Sequence, residues 1–235
     1  MSPVTHLHRE LEGLKRQILG LGAVVEESLR VALQAIEEHD AQKAQRVVVG
    51  DFTIDEREVE VEEECLKILA LYQPVASDLR FLVAVIKINS ELERIGDLAS
   101  NIAERALELS ATAEPLAPPA GLPVMADRTG AILEKSLDAL VQQDAEAARC
   151  VLGADAEVNH LYHELIEELK GRIRQDIEHL DQIVLLFSVA RYLERLADHA
   201  TNIAEDVLYM VEGEIRRHQV PDTPAALLGW QERGP

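Results

Sequence analysis

Carboxylates and amides recur at helical spacing in two separate segments of the chain. In each segment two acids and an amide follow one another at intervals of four residues, and a further oxygen-bearing pair stands upstream. Residues four apart share one face of a helix, so each segment predicts a line of side-chain oxygens. The ten candidate metal ligands are Asp51, Asp55, Glu93, Asp97 and Asn101 in the first segment and Asp155, Asn159, Glu194, Asp198 and Asn202 in the second.

An all-oxygen cluster of this kind suits a hard cation. Carboxylate and amide oxygens ligate Mg, Ca, Mn or iron, with water completing the shell. A structural zinc site, in contrast, prefers Cys and His. Like charges four residues apart weaken a helix slightly, and no Lys separates them on this face. The residues alone therefore allow two interpretations: a metal site in each segment, or an ordinary solvated acidic face.

Six amphipathic helices are expected to position these residues. Apolar residues recur every three or four positions from Leu7 to Ile36, and the same period continues through the later segments. An apolar stripe runs opposite each acidic line and is expected to form the core. The predicted helices are 7–36, 41–72, 76–110, 124–142, 145–174 and 176–211.

The two acidic segments belong to an internal repeat. The stretch 93–104 matches the stretch 194–205 at eight of twelve positions, with an offset of 101 residues. A weaker match, at an offset of 104, links the two upstream pairs. A Pro-rich linker over 113–123 separates the copies. The prediction is an all-α fold of two tandem three-helix bundles, 1–112 and 124–212, followed by a weakly structured tail over 213–235.

The composition limits the expected binding partners and the expected cellular location. The chain has 235 residues, a formal net charge of −20 and only 3% aromatic residues. Such an acidic chain repels nucleic acid and anionic lipid, so neither is an expected partner. Cys65 and Cys150 are solitary, which argues against a disulfide or zinc framework. Neither a signal peptide nor an apolar stretch of about 20 residues is predicted, so we expect a cytoplasmic protein without membrane insertion.

The two copies of the motif E-R-x-x-D…N-I-A-E resemble those of the PhoU family, the phosphate-transport accessory and phosphate-regulon regulatory proteins of bacteria. The resemblance covers nearly the whole chain. It implies two three-helix bundles, a homodimer, and metal sites at the ten residues above, which are multinuclear in some members. The expected cofactors are divalent or ferric ions (Fe, Mn, Mg or Zn). Asn159 stands where a carboxylate is expected, which predicts a weaker second site.

By the same resemblance, the protein is a regulator and not an enzyme. PhoU-like proteins restrain phosphate uptake and repress the phosphate-starvation response. They link the ATPase subunit of the phosphate ABC transporter to a membrane sensor histidine kinase. These two proteins are therefore the expected partners of a metal-binding adaptor.

The residues alone leave two other functions open. A metal oxidase of the ferritin type would use Glu-x-x-His on facing helices, and no His lies three residues after Glu93 or Glu194. A purely structural scaffold would bind nothing at its acidic faces. His160, His163 and His199 are weaker candidates for the second site, since a lone surface histidine is usually not a ligand.

Overall fold

The computed structural model describes residues 3–213, and over this range the fold is all-α. Its packing confirms the two-bundle prediction, because α1, α2 and α3 contact one another, as do α4, α5 and α6. The described residues include no strand and no helix long and apolar enough to cross a membrane. The predicted tail, 213–235, lies outside this range apart from Gly213. The helices are α1 (Pro3–Glu38), α2 (Ala41–Tyr72), α3 (Ala76–Ser110), α4 (Gly121–Gln142), α5 (Ala145–Gln175) and α6 (Leu180–Glu212).

Three helices begin at other residues than the sequence predicts. Helix α1 begins at Pro3 and not at 7, one turn earlier than the first residue of its apolar pattern. Helix α4 begins at Gly121 and not at 124, because Pro123 fits a first turn, where its missing N–H leaves no helical bond unmade. Helix α6 begins at Leu180 and not at 176. Before it, Asp176 and His179 form a turn in which their side chains are 2.6 Å apart. The connection between the bundles is therefore the short non-helical segment 111–120.

Equivalent aspartates begin the second helix of each bundle. The Asp40 carboxylate accepts hydrogen bonds from the backbone N–H groups of Gln42 and Lys43 at 2.8 and 3.0 Å. Asp144 caps α5 with the same pair of bonds. Each cap satisfies N–H groups that the first turn of a helix leaves unpaired. The two caps thus fix where α2 and α5 begin, and with that the position of the acidic residues along them.

A close approach of α2 and α3 positions the acidic residues of the first bundle. At Gly96 an added Cβ would lie 2.9 Å from Cδ1 and 3.0 Å from Cγ2 of Ile54, closer than van der Waals contact permits. The second bundle has Ala197 and Val158 at the equivalent positions, and both are buried. Relative to the first bundle, the second bundle therefore has one more side-chain carbon on its third helix and one fewer on its second helix, so the packed volume at this contact is the same.

Helices α3 and α6 run antiparallel at the centre and join the two bundles. Lys87 donates to Asp206 at 3.2 Å and lies 4.8 Å from the ring centre of Tyr209. Four residues further along α3, Glu91 accepts a hydrogen bond from Asn202, four residues earlier on α6. Helix α1 also packs against α4. The two bundles therefore share an interface between α3 and α6 that contains buried polar contacts.

Candidate metal centre

Three carboxylates of the first bundle converge between α2 and α3. Asp55 comes from α2, and Glu93 and Asp97 come from successive turns of α3. One carboxylate oxygen from each residue lies within 4.8 Å of the other two. Asp55 and Asp97 are exposed and Glu93 is half-buried, so a cation can reach the group from solvent. We call these three residues the first acidic cluster; small side-chain movements would bring all three around one ion.

The carboxylates of the first acidic cluster repel one another. Burial, followed by the charge of Asp97, raises the pKa of Glu93 above its usual range, and Arg94 opposes this shift. Burial, followed by the charge of Asp55, raises the pKa of Asp97. A bound cation would reverse both shifts, because a positive charge favours the ionised carboxylates. The donor set and its electrostatics therefore fit a hard divalent or ferric ion.

The other two candidates of the first bundle adjoin the cluster. Burial raises the pKa of Asp51, the charges of Asp97 and Asp55 add to the shift, and hydrogen bonding from Ser100 opposes it. Asp51 thus lies within the electrostatic reach of the cluster. Asn101 donates its Nδ2 to the backbone oxygen of Asp97 at 2.7 Å. Its amide nitrogen is held by its own helix, and its Oδ1 is the atom that could ligate a metal.

The second bundle places its acids more loosely and neutralises part of their charge. Asn159 donates its Nδ2 to Asp155 Oδ2 at 2.9 Å, and Arg191 Nη1 lies 2.9 Å from Glu194 Oε2. Burial, then the charges of Glu194 and Asp155, raise the pKa of Asp198, whereas His199 and Arg191 lower it. Among the described side chains, only the first bundle brings three potential ligands within 4.8 Å of one another. We call Asp155, Glu194 and Asp198 the second acidic line.

Asn202 bonds to the first bundle and not to the second acidic line. Its Nδ2 donates to Glu91 Oε2 at 3.0 Å, and His199 Nδ1 lies 2.7 Å from the same oxygen. Glu91 is almost fully buried; burial opposes its ionisation, but the two contacts hold its pKa below the usual range. We call Glu91, His199 and Asn202 the inter-bundle triad. The internal repeat does not single out Glu91, because Tyr192 occupies the equivalent position.

The histidine candidates make their contacts elsewhere. His160 Nε2 lies 3.4 Å from Glu164 Oε1, and the ring of His163 meets that of Tyr162 with centres 5.6 Å apart. His199 belongs to the inter-bundle triad. Among the described hydrogen bonds, none joins one of these histidines to a carboxylate of the second acidic line. The candidate ligands that come together are therefore carboxylates.

The fold and the site together define a class of protein, an all-helical tandem repeat with acidic residues between the second and third helix of each bundle. The family model described as the PhoU domain matches the chain twice, over residues 18–106 and 122–207. The two matches coincide with the two bundles. The chain belongs to the PhoU family.

Several relatives share nearly the full length of the chain. A phosphate-specific transport system accessory protein PhoU homolog from Aquifex aeolicus (strain VF5) is 40% identical over 91% of this chain and 96% of its own. The phosphate-specific transport system accessory protein PhoU of Escherichia coli (strain K12) is 33% identical over 95% and 92%. The crystal structure of PhoU from Pseudomonas aeruginosa, 35% identical, matches with a TM-score of 0.83 over 88% of this chain and 99% of that one. The phosphate transport system regulatory protein PhoU from Streptococcus pneumoniae, 29% identical, gives 0.82 over 89% and 98%.

Proposed function

We propose that this protein is a regulatory accessory protein of phosphate transport, which restrains phosphate uptake and represses phosphate-starvation signalling. The observation that carries the proposal is the match of both bundles to the PhoU domain, with relatives of similar length named phosphate-specific transport system accessory proteins. In this role it works in the cytoplasm as a homodimer. It acts by binding and not by catalysis, as an adaptor between the ATPase subunit of the phosphate ABC transporter and a membrane sensor histidine kinase.

The first acidic cluster is the proposed main metal centre. The converging carboxylates are those of Asp55, Glu93 and Asp97. Two further oxygen ligands could come from the neighbouring Asp51 and Asn101. A cation bound there would neutralise charges that repel one another and would tie α2 to α3. The oxygen donors favour Mg, Mn or Fe over Zn.

The second acidic line is proposed as a weaker site. Asn159 contributes no charge, and Arg191 already compensates Glu194. Asn202 is engaged by Glu91, so it would have to leave the inter-bundle triad before it could ligate an ion. Fewer free negative charges attract a cation less strongly. The two bundles are therefore expected to differ in affinity, with the first one filling at lower metal concentration.

Metal binding is tested with chelator-stripped protein titrated with Mg, Mn, Fe and Zn. Calorimetry on the parent should show tighter binding at one site per chain. Glu93→Ala/Asp97→Ala should lose that site, while the control Glu37→Ala, an exposed acid on α1, should keep it. Equal metal uptake by the cluster variant and the parent would show that the ligands lie elsewhere.

The adaptor role is tested by association with the two partner proteins. The purified transporter ATPase subunit and the cytoplasmic portion of the kinase are each mixed with metal-loaded parent protein. We expect the parent to bind both, and Glu93→Ala/Asp97→Ala to bind at least one of them more weakly. If neither partner associates with the parent, with or without phosphate and metal, the adaptor proposal fails.

A further inference from the structure

A stripe of exposed apolar side chains runs along the outer face of α2. Val49, Phe52, Val59 and Leu66 are each half exposed or more. Their spacings of three, seven and seven residues place them on one side of the helix, the pattern that helices use to pack against another helix. We call these four residues the α2 stripe. In the described structure this face of α2 points away from both bundles.

The bundle itself does not require apolar residues on this face. The repeat offset of 104 aligns the α2 stripe with four residues on α5, the same helix of the second bundle, which we call the α5 counterpart. Its residues are small or polar and lie on an equivalent helix in an equivalent bundle. The apolar stripe is therefore a feature of the first bundle alone. The α5 counterpart consists of Gly153, Ala156, His163 and Lys170.

Acidic residues surround the α2 stripe. Glu56 and Glu63 fall between its apolar members on the same face, and Glu60 lies beside them. All three are exposed. The neighbouring Lys67 pairs with another acid, Glu64, at 2.9 Å. On the other flank lies Asp55 of the first acidic cluster. The surface is thus a row of apolar contacts framed mainly by negative charge, with Lys67 as a cation at the end near Leu66.

The acidic residues around the α2 stripe determine which kind of helix can pack against it. A second copy of this chain, paired stripe to stripe, would place the Glu56 and Glu63 carboxylates of one copy against those of the other, and like charges across a helix pair repel. A helix with apolar residues at the same spacing and Lys or Arg beside them would instead pack against the α2 stripe and pair with the acidic residues around it. From Val49 to Leu66 the stripe spans roughly 26 Å, which matches a helix of about 18 residues.

We propose that the α2 stripe docks a basic amphipathic helix of a partner protein, next to the first acidic cluster. The proposal rests on the proposed function, because that function supplies the two candidate partners, the transporter ATPase subunit and the sensor kinase. The docked helix would lie beside Asp55, so a metal in the cluster and a partner on the stripe would share one side of α2. Each would then change the electrostatic environment of the other.

The test uses two sets of substitutions on the full chain, with both purified partners as probes. Phe52→Ser/Val59→Ser/Leu66→Ser removes the apolar contacts, and Glu56→Lys/Glu63→Lys reverses the framing charge. Each set should weaken binding of the partner that uses the stripe by about tenfold or more, since truncated central contacts commonly cost that much. Added salt should weaken parent binding and have less effect on the charge-reversed variant.

The control is a variant of the α5 counterpart, Ala156→Ser/His163→Ser/Lys170→Ser, which should bind like the parent. Circular dichroism and metal titration check that every variant folds and retains the first acidic cluster. If the parent binds neither partner, the proposed function fails. If the parent binds a partner and both stripe variants bind it equally well, the docking proposal alone is overturned. It is also overturned if the apolar variant converts a dimer to a monomer, because the occupant is then a second copy.

Discussion

Asp97→Asn should stabilise the metal-free protein and destabilise the metal-loaded one relative to the parent. Oxygens of Asp55 and Glu93 lie no more than 4.8 Å from that of Asp97. A pair of unit charges at this distance costs about 1 kcal/mol even with the screening of water. Because Asp97 is exposed and salt screens it further, we take about 1 kcal/mol as the whole gain from removing its charge. For a chain of this size that corresponds to a rise of about 3 °C in melting temperature.

If metal binds the first acidic cluster as proposed, it should reverse the order of stability of the parent and Asp97→Asn. At a metal concentration about one hundred times the Kd, binding adds about 2.7 kcal/mol to the stability of the parent. Asp97→Asn replaces a charged ligand by a neutral one and should lose most of that gain. Thermal unfolding followed by far-UV circular dichroism, with chelator and with Mn, gives the four values needed. The electrostatic reasoning is refuted if Asp97→Asn melts below the parent in chelator, or if Mn raises its melting temperature as much as that of the parent. Glu37→Gln serves as the control, and it should melt like the parent both in chelator and with Mn.

Two further predictions concern the contacts between helices. Glu91→Gln should cost about 2 kcal/mol at neutral pH, because it removes a charged acceptor held by His199. Folding lowers the pKa of Glu91. The stability that its charge contributes is therefore present above the usual pKa of 4.5 and is lost as the pH falls through the lowered value. The difference in free energy of unfolding between parent and variant, measured with urea, should disappear in acid. Gly96→Ala should lose about 1 kcal/mol, since overpacking against Ile54 outweighs the gain in helix propensity, whereas Gly153→Ala, with nothing near its Cβ, should gain about 1 kcal/mol. Adding Ile54→Val to Gly96→Ala should recover part of the loss, and a strictly additive double variant would contradict the packing argument.

The fold could be predicted because its signals are local and repeated. Apolar residues every three or four positions indicate helices, and the match of 93–104 with 194–205 indicates a tandem repeat. The sequence pattern predicts too late a start for α4, because Pro123 belongs to a Pro-rich stretch, although a first helical turn accepts proline. Helix starts depend on one or two hydrogen bonds, which periodicity does not register.

The candidate site could be predicted only as far as one helix determines it. Spacing along α3 places Glu93 and Asp97 on one face, and the structure brings Asp55 to them from α2. The same spacing places Asn202 on the acidic face of α6, yet its amide bonds to Glu91 across the bundle interface. Which side of a helical face meets another helix depends on how the bundles pack. Glu91 and Asn202 are far apart in sequence, so no pattern within either segment links them.

The differences between the two bundles indicate how duplicated sites diverge. Both bundles keep the buried framework, with Gly96 and Ile54 in one matched by Ala197 and Val158 in the other. The changes at the second acidic line are of another kind, because Arg191 replaces the Ser90 of the first bundle and brings a positive charge to Glu194. A fold that needed a carboxylate cluster for its own stability would not neutralise one copy and leave the other repelling itself. The mutual repulsion that remains in the first acidic cluster therefore supports the proposal that a cation binds there, and metal-dependent stabilisation is expected mainly from the first bundle.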